Sequence, residues 1–156
     1  MPPVGPDPRY AALLALLRAA DTIWSASHAL FARWELSPSQ FNVLNLLADR
    51  PEGFTQTELG RALIMHRSNV TGLVDRLERR GLLVRREAAG DRRAWRVHLT
   101  PAGQRLWREA HPHYLKAARK VWGNTAAGRA RELTRVFDTL AANARALAAQ
   151  LEPTRS

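Results

Sequence analysis

The chain has no cysteine among its 156 residues. That excludes a disulfide framework, a thiolate zinc site and any thiol-based redox sensor. Lysine is nearly as scarce: only Lys116 and Lys120 are present, so 22 of the 24 basic residues are arginine. No apolar run approaches the ~18 residues that span a bilayer. The opening MPPVGPDPRY has neither the charged start nor the apolar stretch of a secretory signal. A cytoplasmic protein without a membrane partner is therefore expected. Enzyme signatures are missing too: there is no HExxH pair, no phosphate-cradling glycine loop and no GxSxG elbow. Nothing in the sequence asks for a cofactor.

What is present is a core and a charge. Apolar residues make up 46% of the chain, enough for one domain, or for a small domain with helical extensions. The 24 basic against 14 acidic residues give a formal charge of +10, which attracts polyanions. Arginine suits bidentate contacts to phosphate and guanine, although a genome-wide codon bias produces the same skew.

Residues 1–6 are rich in proline and glycine. Asp7-Pro8 then supplies an N-cap with proline in the first helical slot. From there to about Arg33, Leu13, Leu16, Leu17, Ala20, Ile23, Trp24, Ser27 and Phe31 recur at helical spacing. Ser37-Pro38-Ser39-Gln40 is a capping box that launches a second helix, with Phe41, Leu44 and Leu47 inward, ending near Asp49. A second capping box, Thr55-Gln56-Thr57-Glu58, opens a short helix to about Leu63. After a turn at Ile64-Met65 comes a helix over 66–80, on which Val70, Leu73, Val74 and Leu77 form one buried face. Gly81 and Leu82 are the C′ glycine and apolar C″ residue of a Schellman stop. Two short strands follow, Leu82 to Arg86 and Trp95 to Leu99, with EAAGDRR between them as a hairpin tip. Thr100-Pro101 starts a long helix whose seam is Trp107, Ala110, Tyr114, Ala117 and Val121. A last helix carries Leu133, Phe137, Leu140, Ala144, Leu147 and Leu151. The first and the last two helices make a poor core of their own, so a partner chain is their natural cover.

The order within Phe54–Gly103, two short helices, a glycine stop and a basic hairpin, is that of a winged helix-turn-helix. The fold class expected is mainly α with a small β-hairpin wing, and the order and chemistry point to a protein that binds double-stranded DNA. On the recognition helix, Arg67, Ser68, Asn69, Thr71 and Arg76 form the face that reads bases and phosphates, the first turn penetrating deepest. Gly72 costs a helix about 1 kcal/mol against alanine, which implies a close approach of DNA or of a neighbouring helix. Asp75 suits a structural role, paired with Arg79 at i+4. Gln56 and Thr57 can offer phosphate contacts at a helix start, or simply cap it. At the wing, Arg92 and Arg93 can enter the minor groove, whereas Gly90-Asp91 is also plain turn chemistry. Trp24, His28 and Phe31 share one helix face, where core packing is the simplest explanation.

The segments QFNVLNLLA, TQTELGRAL, VTGLVDRLERRGLLVRR and GDRRAWRVHLTPAG, within Gln40–Gly103, resemble the multiple-antibiotic-resistance regulator (MarR) family of bacterial transcription factors. The helices on either side fit it more loosely. The resemblance implies a homodimer joined by its terminal helices, with two winged lobes on a pseudo-palindromic site. It also implies repression relieved by a small aromatic or phenolic anion. The boundaries expected are 1–36 for the N-terminal arm and first dimer helix, 37–100 for the DNA lobe, and 101–156 for the C-terminal dimer helices. The resemblance favours Arg93 as the inserted side chain with Asp91 holding it, and makes Trp24, His28 and Phe31 candidates for an effector pocket. A nonspecific, architectural DNA-binding protein without an effector is the alternative. His66 departs from the short polar cap usual in the family, and it either contacts DNA or ligand or leaves the cap elsewhere. Glu109, His111 and His113 raise the zinc sensing of some relatives, but only Glu109 and His113 stand at i, i+4 and Pro112 should disturb the helix between the histidines.

Overall fold

The computed structural model describes residues 7–63, 67–88 and 91–151. Eight elements build its main frame of helices and wing: α1 (Pro8–Phe31), α2 (Pro38–Ala48), α3 (Gln56–Leu63), α4 (Arg67–Arg79), α5 (Pro101–Trp122) and α6 (Ala127–Leu151), with the hairpin strands β2 (Leu83–Ala88) and β3 (Asp91–Leu99). A two-residue strand β1 (Phe54–Thr55), which the sequence pattern did not suggest, pairs antiparallel with β3 and completes a sheet of order β1-β3-β2. A 3-10 turn, Ala32–Trp34, joins α1 to α2.

The helix starts follow the local chemistry. The Asp7 side chain accepts from the Arg9 N–H at 2.9 Å. Ser37 and Gln40 form a reciprocal capping box. Thr55 and Glu58 form another, with Thr55 N–H on Glu58 Oε2 at 2.7 Å and Glu58 N–H on Thr55 Oγ1 at 3.2 Å. α4 ends as expected: Leu82 N–H bonds to Leu77 O and Gly81 N–H to Glu78 O, with Gly81 at φ +69°. Both bonds of a Schellman stop are present.

The chain divides by packing into two units, Met1–Ala117 and Ala118–Ser156. The core of the first holds Phe31, Phe41, Val43, Leu44, Leu59, Val70, Val74, Leu77 and Val97, all essentially sealed from solvent. Phe31 stacks on Phe41 at 4.3 Å between ring centres, and Tyr114 of α5 closes on both, at 5.7 and 5.1 Å. The start of α5 approaches Leu82 so closely that a Cβ on Gly103 would stand 2.1 Å from the Leu82 carbonyl oxygen. Only glycine fits there.

Two expectations about α5 are corrected. Trp107, Ala110 and Tyr114 are not left for a partner chain, because they pack on the lobe's own core, and Trp107 Nε1 donates to Asn45 Oδ1 at 3.1 Å. α5 also runs unbroken through Pro112. Pro112 and Arg108, whose carbonyl proline leaves without a donor, both lie on the exposed side where solvent can satisfy it. In the second unit, α6 carries no buried residue, and Val136, Phe137, Leu140, Leu147 and Leu151 are exposed. On α1 only Phe31 is buried, while Tyr10, Leu13, Leu17, Ile23 and Trp24 are exposed.

Candidate nucleic-acid interface

α4 sits on the lobe by Val70, Leu73, Val74 and Leu77, the residues its periodicity singles out. Its outer side carries Asn69, Arg76 and Arg79, all exposed. Gly72 lies between Asn69 and Arg76 at helical spacing. Among the described residues a Cβ placed there meets only Arg76 Nη1, at 3.6 Å. No neighbouring helix crowds Gly72, so packing within the described residues gives no reason for the glycine.

Thr71 lies on the flank of α4 that faces α3, where its hydroxyl and the Gln56 amide are 3.0 Å apart. The amide orientation that satisfies both neighbours has Gln56 nitrogen donating to Thr71 and Gln56 oxygen accepting from Arg85 Nη2 and Nε at 3.1 and 3.2 Å. Gln56 is thus committed to a side-chain network at the α3–α4–β2 junction, while Thr57 is exposed. The N-terminus of α3 already holds the carboxylate of Glu58. The Thr55 backbone N–H on that carboxylate holds its pKa below the usual glutamate range, with Arg96 and Arg50 adding to the effect against the opposing cost of burial.

Asp75 does not pair with Arg79. Its partner is Arg85 of β2, which also bonds Glu78. The helical i+4 spacing was a weaker guide than the strand that folds back alongside α4. Arg85 is the residue the sequence pattern missed. Its clue was present as two carboxylates three apart, Asp75 and Glu78, followed by a glycine stop and an arginine on the returning strand. Nothing short of the fold shows that the strand returns within reach.

The wing is longer than expected. β2 runs to Ala88 and β3 begins at Asp91, with Glu87 opposite Trp95 and an irregularity in register before the Ala88–Asp91 pair. Asp91, Arg92 and Arg93 therefore belong to a strand and not to a loop, since cross-strand pairing continues past the point where alternation of apolar residues stops. The side chains of Arg67, Ser68, Asp91, Arg92 and Arg93, and all of His66, lie outside the described residues. At the base of the wing Arg96 donates to the carbonyls of Glu52 and Gly53, each at 2.9 Å, and to Glu58 Oε2 at 3.2 Å.

The candidate pocket trio separates. Trp24 and His28 meet edge to face at 6.3 Å on the exposed side of α1, with Trp24 43% exposed. Phe31 is sealed in the core. Core packing thus accounts for Phe31 and leaves Trp24 and His28 uncovered. Glu109 and His113 both turn to Trp34: Trp34 Nε1 donates to Glu109 Oε1 at 2.9 Å, and the His113 ring meets the indole at 5.4 Å. His111 packs on Trp107 at 4.8 Å. Among the described residues no three acidic or histidine side chains converge as a metal would require.

The family model described as MarR family matches residues 34–94. The homoprotocatechuate degradative operon repressor of Escherichia coli is 29% identical over 125 residues, covering 80% of this chain and 84% of that one. The solved structure of the transcriptional repressor CouR bound to a 23-mer DNA duplex is 30% identical and superposes with a TM-score of 0.73, over 81% of this chain and 89% of that one. AbsC, a MarR family regulator from Streptomyces coelicolor, shares the fold at a TM-score of 0.80 and 21% identity, over 91% of this chain and 97% of its own.

Proposed function

Because the chain belongs to the MarR family of winged helix-turn-helix transcriptional regulators, we propose that it represses transcription by binding a pseudo-palindromic operator as a homodimer. A small aromatic or phenolic anion releases it from that site. Members of this family are regulators and not enzymes, and a regulator of this kind works in the cytoplasm, where the chromosome is. Residues 37–100 form the DNA lobe, and within 1–36 and 101–156 the apolar side chains that the lobe's own core leaves uncovered carry the dimer contacts.

The observation that carries this reading is the outer side of α4. Asn69 and Arg76 stay exposed there, and among the described residues a Cβ on Gly72 would touch only the end of Arg76, on a helix whose opposite face is locked into the core. Helix and wing are adjacent, as one helix in the major groove and a hairpin beside it require. Arg67, Ser68, Asn69, Thr71 and Arg76 contact bases and phosphates. Asp91, Arg92 and Arg93 serve the minor groove, and Gln56 and Thr57 lie near a phosphate. CouR, at 30% identity, is described as a repressor bound to a DNA duplex. The dimer is supported by the unburied apolar side chains of α1 and α6. The effector is supported by the exposed Trp24–His28 pair, an aromatic face beside an imidazole that can donate a hydrogen bond to an anion. The E. coli relative, named for an operon that degrades an aromatic acid, agrees.

Selection of bound duplexes from a random-sequence pool tests the reading, with sedimentation of the complex. The expected product is an inverted repeat bound by two chains, with affinity at least 1,000-fold above scrambled duplex, in the range of specific regulators. A ratio near one makes the protein architectural and overturns the proposal.

A further inference from the structure

We propose that Arg85 is a positioning residue for DNA recognition: from wing strand β2 its one guanidinium holds α4 through Asp75 and Glu78 and α3 through Gln56, so that recognition helix and wing meet DNA as a single unit. The inference rests on the DNA-binding role proposed for α4.

The geometry uses the whole fork. Nη2 bonds Asp75 Oδ1 and Nη1 bonds Glu78 Oε2, while Nε and Nη2 reach Gln56 oxygen at 3.2 and 3.1 Å. The Arg85 backbone N–H also donates to Glu78 Oε1 at 3.1 Å. Glu78 thereby grips both main chain and side chain of the strand just beyond the Schellman turn. A guanidinium offers five donors in a fixed plane and no acceptor, so it dictates the orientation of every group around it. Because it can only donate, the Gln56 oxygen must face Arg85 and the Gln56 nitrogen must face Thr71. The orientation set on β2 is thus passed through α3 to Thr71 of α4.

The charges matter as much as the bonds. Asp75 is about half exposed on a helix offered to a polyanion, and Glu78 lies three residues further along it. Two carboxylates there repel phosphate unless a cation is fixed between them. Arg85, with its side chain only 22% exposed, is that cation. It is turned inward to the acids and is not spread over the surface as a phosphate contact is.

The test compares wild type with Arg85→Lys and Asp75→Asn on two probes, the duplex recovered by selection with wild type and a scrambled duplex of equal length, across a salt series. Arg85→Lys keeps the charge and loses the fork. It should lower affinity for the selected duplex tenfold or more, leave scrambled duplex within threefold, and leave the salt slope unchanged. An equal loss on both duplexes would make Arg85 a plain phosphate contact and overturn the proposal, as would wild-type behaviour on both. Asp75→Asn keeps the inference testable if Arg85→Lys does not fold. Net charge alone predicts tighter binding to every duplex, whereas loss of positioning predicts at least threefold weaker binding to the selected one. Tighter binding to both overturns the proposal. If wild type itself fails to distinguish the duplexes, it is the operator reading that falls.

Discussion

The indole N–H of Trp34 donates to the carboxylate of Glu109 at 2.9 Å, joining residues 75 apart in sequence. Trp34 is nearly sealed from solvent and stands at the turn between α1 and α2, while Glu109 lies on α5. Arg80, just past the end of α4, donates to the Trp34 and Glu35 carbonyls at 3.0 and 2.6 Å. One turn is therefore tied both to a long terminal helix and to the end of α4.

Trp34→Phe should destabilise the protein by about 1–3 kcal/mol, from a lost hydrogen bond and a partly filled cavity. Glu109→Gln keeps an acceptor and should cost less. Urea unfolding of both single variants and the double variant measures the coupling. Strict additivity would show that the indole and carboxylate do not interact.

Glu58→Gln should change how stability depends on acid. The Glu58 pKa is held down in the folded protein, chiefly by the Thr55 N–H. Its contribution is therefore present above the unfolded-state value of about 4.3 and lost as pH falls through the lower folded value. Wild type should exceed the variant by under ~1 kcal/mol at pH 7, a modest gap because the side chain is one-third exposed. Urea midpoints should converge as pH falls from about 5 toward 3. A gap that widens on acidification would contradict the capping role.

Gly72→Ala should leave the free protein as stable as wild type or up to about 1 kcal/mol more stable, since among the described residues the added methyl meets only the end of Arg76. Affinity for the selected duplex should nonetheless fall. Thermal melting and duplex titration on the same samples separate the two effects. Binding that matches or exceeds wild type would mean that DNA does not approach α4 at this point.

Asp91→Ala should weaken DNA binding by roughly 1 kcal/mol, although it removes a negative charge from the strand proposed to serve the minor groove. A carboxylate that restrains Arg93 before DNA arrives lowers the ordering entropy of a long side chain. Arg93→Ala should cost about 1–3 kcal/mol, and the two losses should not add. Affinities at fixed salt for both single variants and the double variant measure this. Tighter binding by Asp91→Ala would reduce Asp91 to a backbone-pairing residue of the strand.

By itself the sequence determined what depends on neighbours in the chain. The three helix starts at Asp7, Ser37 and Thr55, the Schellman stop at Gly81 and the buried stripe of α4 follow from groups within a few residues of each other, where backbone geometry leaves little choice. The motif order over Gln40–Gly103 also carried the family. Tertiary structure decided whatever depends on segments that meet only after folding. Strand β1 is two residues long and exists because β3 lies beside it. The Trp107–Tyr114 part of the α5 seam looked free because periodicity shows that a face is apolar but not what covers it, and the lobe's own aromatic residues do. Phe31 parted from Trp24 and His28 for the same reason: one helix face continues from the core into solvent. Asp75 had an arginine four residues on along its helix, yet it bonds the one that the returning strand brings to it, ten residues away. An ion pair is settled by distance in space, and only the fold sets that distance.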